Sequence, residues 1–243
     1  MATSSGLETA FTRTPNRASA ATINRIILEA ERLFADQGID RVSLREIAVA
    51  AGLKNTNAVN YHFGDRESLI LAISHFYTFE FEPLRAQMIA LATAQGRHQD
   101  VRTLLEILVL PYLTVVSPGG AHHYVAFVNH TFMRSSEQEL FYPFIDDTDN
   151  PVPVCKALLA TLRERLISLP EGIFRARIRA AIGLFVSAIV RWDNLHASGA
   201  TPPPLEITVL DSLSQMTAAV NAPYHYGNQA TLLDIARSFA VAR

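Results

Sequence analysis

The 243-residue sequence is poor in cysteine and in charge, and each scarcity narrows what the protein can be. Its single cysteine, Cys155, excludes an internal disulfide and is typical of a protein that works in a reducing cytoplasm. Only 18% of the residues are charged, which is below the usual quarter for a globular protein. Together with a hydrophobic fraction of 49%, this balance indicates extra buried surface, such as a subunit interface or a ligand cavity.

Long apolar runs are also missing. The two most apolar stretches, residues 104–116 and 180–190, are shorter than the roughly 20 residues that a membrane-spanning helix needs. No basic-then-apolar signal peptide opens the sequence. The net charge of −2 excludes a protein that coats nucleic acid by bulk positive charge. We therefore expect a cytoplasmic protein without membrane association, in which any contact with DNA comes from a local patch.

The short motifs of common enzyme classes are absent as well. The sequence contains no G-x-S-x-G nucleophile elbow, no P-loop, no dinucleotide-binding fingerprint and no H-E-x-x-H zinc motif. The acidic pair Asp146-Asp147 lies in a loop context that favours solvated charge, and Cys155 has no obvious neighbouring base. The sequence therefore predicts a protein that is not an enzyme and has no cofactor, no metal site and no catalytic residue.

What the sequence does contain, between residues 43 and 64, is a short helix, a glycine turn and a second short helix. The run S-L-R-E at residues 43–46 is a capping box that marks the start of the first helix. Gly52 is expected to end that helix in a left-handed conformation, and Asn55 or Thr56 to cap the second helix. This is the helix-turn-helix pattern, whose second helix enters the major groove of DNA.

The second helix and the turn before it are polar but free of acidic residues. Residues 47–64 contain no Asp or Glu, as a surface that faces phosphates requires, and their asparagines suit the adenine edge in the major groove. The alternative is a polar turn that only joins two core helices. Cap, glycine turn and acid-free helix occur together and in order, which favours DNA binding. The predicted DNA-binding residues are Thr22, Arg25, Ser43, Arg45, Lys54, Asn55, Thr56, Asn57, Asn60, Tyr61 and His62.

The runs L-R-E-I-A-x-x-A-G and Y-H-F-G-D-R-E-S-L, at residues 44–52 and 61–69, resemble the DNA-binding domain of the TetR/AcrR transcriptional regulators. The resemblance covers roughly residues 20–73. It implies a three-helix DNA-binding domain, a homodimer and a ligand-responsive helical domain behind it. The sequence departs from the common pattern by one additional residue around Lys54-Asn55 and by Asn60 where a tyrosine is usual.

Helical periodicity continues beyond this segment, and no alternating strand pattern interrupts it. We therefore predict an all-α chain with a disordered tail over residues 1–17, a three-helix helix-turn-helix DNA-binding domain over 18–66, and a helical bundle for ligand binding and dimerisation over 67–243. The helix is expected to kink or restart at Glu82-Pro83 and to kink at Pro111, because proline removes a backbone donor and restricts the residue before it.

The helix predicted over residues 171–198 is apolar on two sides, because Leu184, Val186 and Val190 lie opposite its main apolar face. We expect this second side, together with a helix over residues 205–221, to pair with the same elements of a second copy. A twofold dimer of this kind sets two recognition helices about 34–36 Å apart and binds a palindromic site.

An aromatic, histidine-rich segment at residues 121–134 is the candidate for ligand binding. His123 and His130 lie seven residues apart and share a helix face, but structural zinc needs four ligands and none completes the set locally. A cavity between this segment, the helix over 104–112 and the helix over 171–198 would suit an apolar or aromatic effector, with ordinary packing as the alternative. The predicted lining is Leu108, Tyr112, His123, Phe127, His130 and Phe185.

These features predict a homodimeric transcriptional regulator. In the simplest mechanism, the protein is a repressor, and a bound ligand favours a spacing of the two DNA-binding domains that no longer fits the operator. Two alternatives stay open. One is a DNA-binding regulator without a small-molecule ligand, and the other is an all-helical enzyme that uses the histidines between residues 122 and 130.

Overall fold

A computed structural model of the protein describes residues 17–55, 57–134 and 152–224, and this part of the chain is helical, as predicted. Most of the expected N-terminal tail, Thr56 and residues 225–243 lie outside the described residues. In chain order the elements are α1 Arg17–Gln37, α2 Leu44–Ala50, α3 Ala58–Phe63, α4 Arg66–Glu80, α5 Glu82–Ala94, α6 Val101–Val109, a 3-10 helix Leu110–Thr114, α7 His123–Arg134, α8 Pro153–Arg165, α9 Glu171–Ala197 and α10 Leu205–Asn221.

The first three helices form the predicted helix-turn-helix unit, in which α1 packs on α2 and α2 packs on α3. The apolar residues of α1 recur at helical spacing and are buried, with Ile26 and Phe34 fully enclosed. The helix stops before Gly38, whose φ of 83° is a conformation that residues with a Cβ rarely adopt. The helical class and the N-terminal position of this unit are therefore confirmed.

The remaining helices form a bundle, which we call the body. In it α9 and α10 pack along each other, α10 packs on α6, and α8 packs on both α5 and α6. Helix α7 packs against α1 on one side and against α9 on the other. Because α7 contacts both parts, it joins the helix-turn-helix unit to the body.

The helical geometry changes at both of the prolines singled out in the sequence. Helix α4 ends at Glu80, and α5 starts at Glu82 with Pro83 in its first turn, where a missing N–H has no helical acceptor to lose. The helix that begins at Val101 changes from α to 3-10 geometry at Leu110, directly before Pro111. This change of geometry replaces the simple kink that we expected, since a 3-10 turn tolerates the missing donor over a short stretch.

The long helix α9 spans 27 residues, about 40 Å at 1.5 Å per residue. The expectation that Val186 lies on a partner-facing side is wrong. Its side chain is fully buried within its own chain, because α7 and α10 both pack against α9. Leu184, in contrast, is 40% exposed. Across the three described ranges, no helix combines the length and apolarity that a membrane span requires.

Candidate nucleic-acid interface

Helix α2 is held at both ends by contacts that its own sequence supplies. Ser43 Oγ accepts from the amide of Glu46 at 3.2 Å, while Glu46 Oε2 accepts from the Ser43 amide and hydroxyl, each at 2.7 Å. The predicted capping box is therefore present. These hydrogen bonds, the backbone one first, hold the pKa of Glu46 below its usual value. At the other end Gly52 turns the chain with φ of 65°, and the Leu53 amide donates to the carbonyl of Ala48 at 2.9 Å.

Helix α3 is six residues long, with one side buried and the other exposed. Val59 and Phe63, four positions apart, are packed into the core. Asn57, Asn60 and Tyr61 stand at spacings of three and four residues, so they share the opposite face, and all three are exposed. The Tyr61 ring is 79% exposed. The helix therefore presents two amides and one aromatic ring from a firmly anchored backbone.

The start of α3 differs from our expectation. Its N-cap is Asn57, instead of Asn55 or Thr56, and no side chain caps the helix. Asn55 accepts from the Asn57 amide through Oδ1 at 2.9 Å, and its carbonyl accepts from the Ala58 amide at 3.1 Å. Asn side chains favour such turns, because they bond their own backbone two residues on. Lys54 and Asn55 consequently belong to the turn and not to the helix.

A contact that sequence reasoning missed fixes the unit to the next helix. Gly64 ends α3 with φ of 80°, and Asp65 caps α4 by accepting from the Ser68 amide at 2.8 Å. Arg66 then donates to the carbonyl of Val42 at 2.7 Å, which ties the first turn of α4 to the connector before α2. These residues are 24 positions apart, and no local sequence pattern predicts a hydrogen bond over that distance.

The predicted DNA-contacting residues form a largely exposed set. Burial is partial for Thr22 and His62, and Thr56 lies outside the described residues. Desolvation lowers the pKa of His62, so its ring is neutral at pH 7 and adds no positive charge to the surface. The exposed members are Arg25, Ser43, Arg45, Lys54, Asn55, Asn57, Asn60 and Tyr61.

The residues predicted to line a ligand cavity fall into two groups. On α7, His123, Phe127 and His130 share one face, as their spacing predicted, and this face lies against α1. Phe127 stacks on Phe34 with the ring centroids 6.3 Å apart, and His123 Nε2 lies 3.4 Å from Asp36 Oδ1. The α7 group therefore forms part of the contact between the helix-turn-helix unit and the body.

The second group is enclosed in the body. Leu108 and Phe185 are fully buried, and the ring of the buried Tyr112 lies edge-on to Tyr124 at 5.2 Å. Tyr112 also lies 5.8 Å from Phe81 between ring centroids, so aromatic rings surround it on more than one side. An open groove of about 430 Å³ shares no residue with the predicted lining; it is bounded by Phe79, Glu82, Pro83, Ala86, Pro153 and Val154.

The histidines between residues 122 and 130 face two different helices. The imidazole Nδ1 of His122 lies 2.9 Å from Asp193 Oδ1 on α9, and the other oxygen of Asp193 accepts from the His122 amide at 2.9 Å. His130 instead lies beside Gly38, where an added Cβ would meet its ring at 3.7 Å. Within the described ranges no group of three or more His, Cys, Asp or Glu residues is arranged to hold a metal ion.

The comparison with known proteins concerns the N-terminal part of the chain. Residues 26–73 match the model for bacterial regulatory proteins of the tetR family. The matched segment begins on the buried face of α1, includes α2, the turn and α3, and ends within α4. No curated protein matches the chain. The match thus coincides with the helix-turn-helix unit and with the helix that follows it.

Proposed function

Because this chain is a DNA-binding transcriptional regulator of the TetR family, we propose that it acts as a homodimeric repressor, which a small effector releases from a palindromic operator. The observation that carries the proposal is the exposed face of α3, where Asn57, Asn60 and Tyr61 stand opposite the buried anchors Val59 and Phe63. Amide side chains can pair with adenine edges in the major groove, and no carboxylate lies nearby on this helix to repel phosphates.

Positively charged residues around α3 supply the positioning contacts. Arg25 on α1, Arg45 on α2 and Lys54 in the turn are all exposed. Contacts from such side chains to phosphates fix the register of a protein on the duplex without reading its sequence. Ser43 is a weaker candidate, because its hydroxyl and its amide already bond Glu46. We therefore assign base reading to Asn57, Asn60 and Tyr61 and phosphate contact to the three cations.

Exposed apolar side chains on α9 and α10 support a homodimer through the helices over residues 171–198 and 205–221. Leu184 is 40% exposed, and Ile207 and Leu210, which lie three positions apart on α10, are 57% and 55% exposed. A twofold interface matches a patch with its own copy, so one apolar patch per chain is enough. Leu210→Glu should convert the dimer into monomer in sedimentation experiments. Ile167→Glu, at another exposed site between α8 and α9, should leave the dimer intact.

The position of α7 supports release by a ligand. This helix contacts α1 with one face and α9 with another, so an effector that moves α7 in the body also moves the helix-turn-helix unit. The aromatic surroundings of Tyr112 and Phe127 suit a small apolar or aromatic effector. Such a compound should raise the melting temperature of the free protein and release the operator. Compounds that stabilise the protein without releasing DNA would instead support a regulator that has no ligand-controlled release.

The function is tested by selecting bound duplexes from a random pool at near-physiological salt. We expect an inverted repeat whose half-sites are about one helical turn apart. Failure to enrich any sequence, with binding that is only salt-sensitive, would contradict the proposed function.

Variants then separate base reading from phosphate contact. Asn60→Ala should relax the preference at one position of each half-site, whereas Arg45→Ala should weaken all sequences alike and lower the salt slope by about 1. Asn194→Ala and Arg97→Ala, at exposed positions outside the helix-turn-helix unit, are the matched controls. Equal operator affinity for all four variants would contradict the roles assigned to α2 and α3.

A further inference from the structure

A carboxyl group is buried where the helix-turn-helix unit meets the body. Glu31 of α1 is only 4% exposed, and its Oε1 has no hydrogen-bond partner among the described residues. The hydroxyl of Tyr77, on α4, donates to this carboxyl group. The ring of Tyr77 lies 4.3 Å from that of Tyr124 on α7, so the carboxyl lies where α1, α4 and α7 meet. Buried carboxylates are usually paired with a cation, because an unpaired buried charge is costly.

The other charged residues of α1 do not offset the negative charge of ionised Glu31. Asp36 repels the ionised form of Glu31, while the attraction from Arg32 is the weakest of the influences on it. Arg32 is exposed and already bonds Glu29 at 2.9 Å and Asp36 at 3.4 Å.

The neighbouring helices supply hydroxyl groups in place of a cation. Tyr77 of α4 bonds Glu31, and Tyr124 of α7 is close enough for Glu31 to raise the pKa of its hydroxyl. Helix α2, the third element against α1, exposes Arg45 and Glu46 to solvent. His123 of α7 faces α1 as well, where it lies beside Asp36.

The result is a carboxyl group that titrates near neutral pH. Burial, with repulsion from Asp36 second, raises the pKa of Glu31 to about 7. Lower pH therefore removes a buried charge from the contact between α1 and α7.

We propose that Glu31 is a proton switch that sets how firmly α1 is docked on α7 and, through this contact, the affinity for the operator. Protonated Glu31 fits its enclosed site as a neutral donor to the surrounding hydroxyls. Ionised Glu31 places an unpaired charge inside the contact and loosens the helix-turn-helix unit from the body. The link to operator affinity rests on the proposed function, and protonation at the contact can be measured without DNA.

The first test is denaturant unfolding at pH 6 and pH 8. A carboxyl whose pKa is raised by folding contributes stability below its unfolded value, 4.5, and loses it as the pH rises through about 7. Between pH 6 and pH 8 this group alone lowers the folding constant about tenfold. Glu31→Gln should remove that decrease, and Glu29→Gln, which neutralises a more exposed glutamate of α1, should keep it. An unchanged decrease in Glu31→Gln would overturn the proposal, and Glu31→Leu gives the same test if the buried amide prevents folding.

The second test measures affinity for the selected operator at the same two pH values. The ratio of the operator affinity at pH 6 to that at pH 8 should be larger in the wild type and in Glu29→Gln than in Glu31→Gln. Any contribution from His62 to this ratio is the same in all three proteins, because each of them keeps His62. Equal ratios in proteins that bind the operator would overturn the switch and leave the proposed function intact. Absence of operator binding by the wild type at either pH would contradict the proposed function itself, and unfolding would still report the proton at the contact.

Discussion

The helix ends of the helix-turn-helix unit and those of the body are capped in different ways. In and directly after the unit, Ser43 bonds Glu46 and Asp65 bonds the amide of Ser68, each three positions away. In the body the Glu82 carboxylate accepts from the amides of Val154 and Cys155, 72 and 73 positions away, at 2.7 and 2.9 Å. The first kind of cap can form as soon as its helix forms, whereas the second needs the folded bundle.

Two further helix ends in the body follow the second pattern. Asp193 of α9 holds the first turn of α7 through the amide and ring of His122, 71 positions away. Arg177 of α9 donates to the carbonyls of Val220 and Ala222 at the end of α10. Two helices of the body do have local caps, namely α4 with Asp65 and α6, where Asp100 accepts from the Thr103 amide. A cap formed by residues close in sequence leaves a motif that can be recognised in the sequence, as in the helix-turn-helix unit. A cap formed by residues about 70 positions apart, as at α7 and α8 of the body, leaves no such motif.

The largest effect that would test this contrast is expected at Arg85. Its fully buried guanidinium donates to the carbonyls of Thr78 and Leu108 at 3.2 Å each and lies over the Phe81 ring at 5.4 Å. Arg85→Ala should lower the free energy of unfolding by about 3 kcal/mol or more, because it leaves a cavity and two carbonyls without their donor. Denaturant unfolding measures this, with the exposed Arg97→Ala as control within about 0.5 kcal/mol. Similar results for both variants would contradict a body held by long-range polar contacts.

A smaller loss in the free energy of unfolding is expected when the cap that Glu82 forms on α8 is removed. Glu82→Ala should destabilise the protein by about 2–3 kcal/mol, because two amides lose a charged acceptor in a partly buried site. Glu82→Gln keeps one acceptor oxygen and should lose less. Glu164→Ala, at an exposed position on α8, the helix that Glu82 caps, is the control in the same unfolding experiment. If Glu82→Ala behaves like Glu164→Ala, the distant cap contributes nothing.

The local cap of α2 should matter less than the distant one. Ser43→Ala removes the N-cap hydroxyl and should lower the free energy of unfolding by about 1 kcal/mol. Ser198→Ala, directly after α9, serves as the matched control, because among the described residues its hydroxyl bonds only the carbonyl of Leu195. A loss at Ser43 that equals or exceeds the loss at Glu82 would reverse the comparison between the two regions.

The smallest expected effect is a pH dependence at Glu46. Folding lowers the pKa of this carboxyl, chiefly through the Ser43 amide, so its contribution is present above the unfolded value of 4.5 and is lost as the pH falls through the lower folded value. The stability difference between wild type and Glu46→Gln should therefore be greatest at pH 7 and should shrink at acid pH. Unfolding curves between pH 7 and pH 3.5 check this, and a difference that does not vary with pH would argue against the charged half of the capping box.

The predictions from the sequence succeeded where the interaction partners are close in the chain. The capping box at Ser43, the helix restart at Pro83 and the helical class are all present in the structure. The N-cap of α3 was misassigned, since Asn55 and Asn57 are both suitable caps and only their backbone conformation separates them.

The candidate ligand site is the place where sequence reasoning was least informative. The spacing of His123, Phe127 and His130 predicts their common face on α7, but it does not predict that α1 covers this face. Val186 is a second case, because its position on an apolar side predicts burial without identifying the covering element. Periodicity reports which side of a helix avoids water, and it carries no information on the neighbour that excludes the water.

The sequence by itself determined the helix-turn-helix unit, its glycine turns and its acid-free exposed surface, because the contacts that build them join residues within a few positions of each other. The tertiary structure alone decided that Glu31 is buried beside Tyr77, that Arg85 bonds the carbonyl of Leu108, and that α7 joins the unit to the body. These three features depend on tertiary structure because desolvation and long-range hydrogen bonds are set by which helices pack together. The packing of the helices depends in turn on the whole fold.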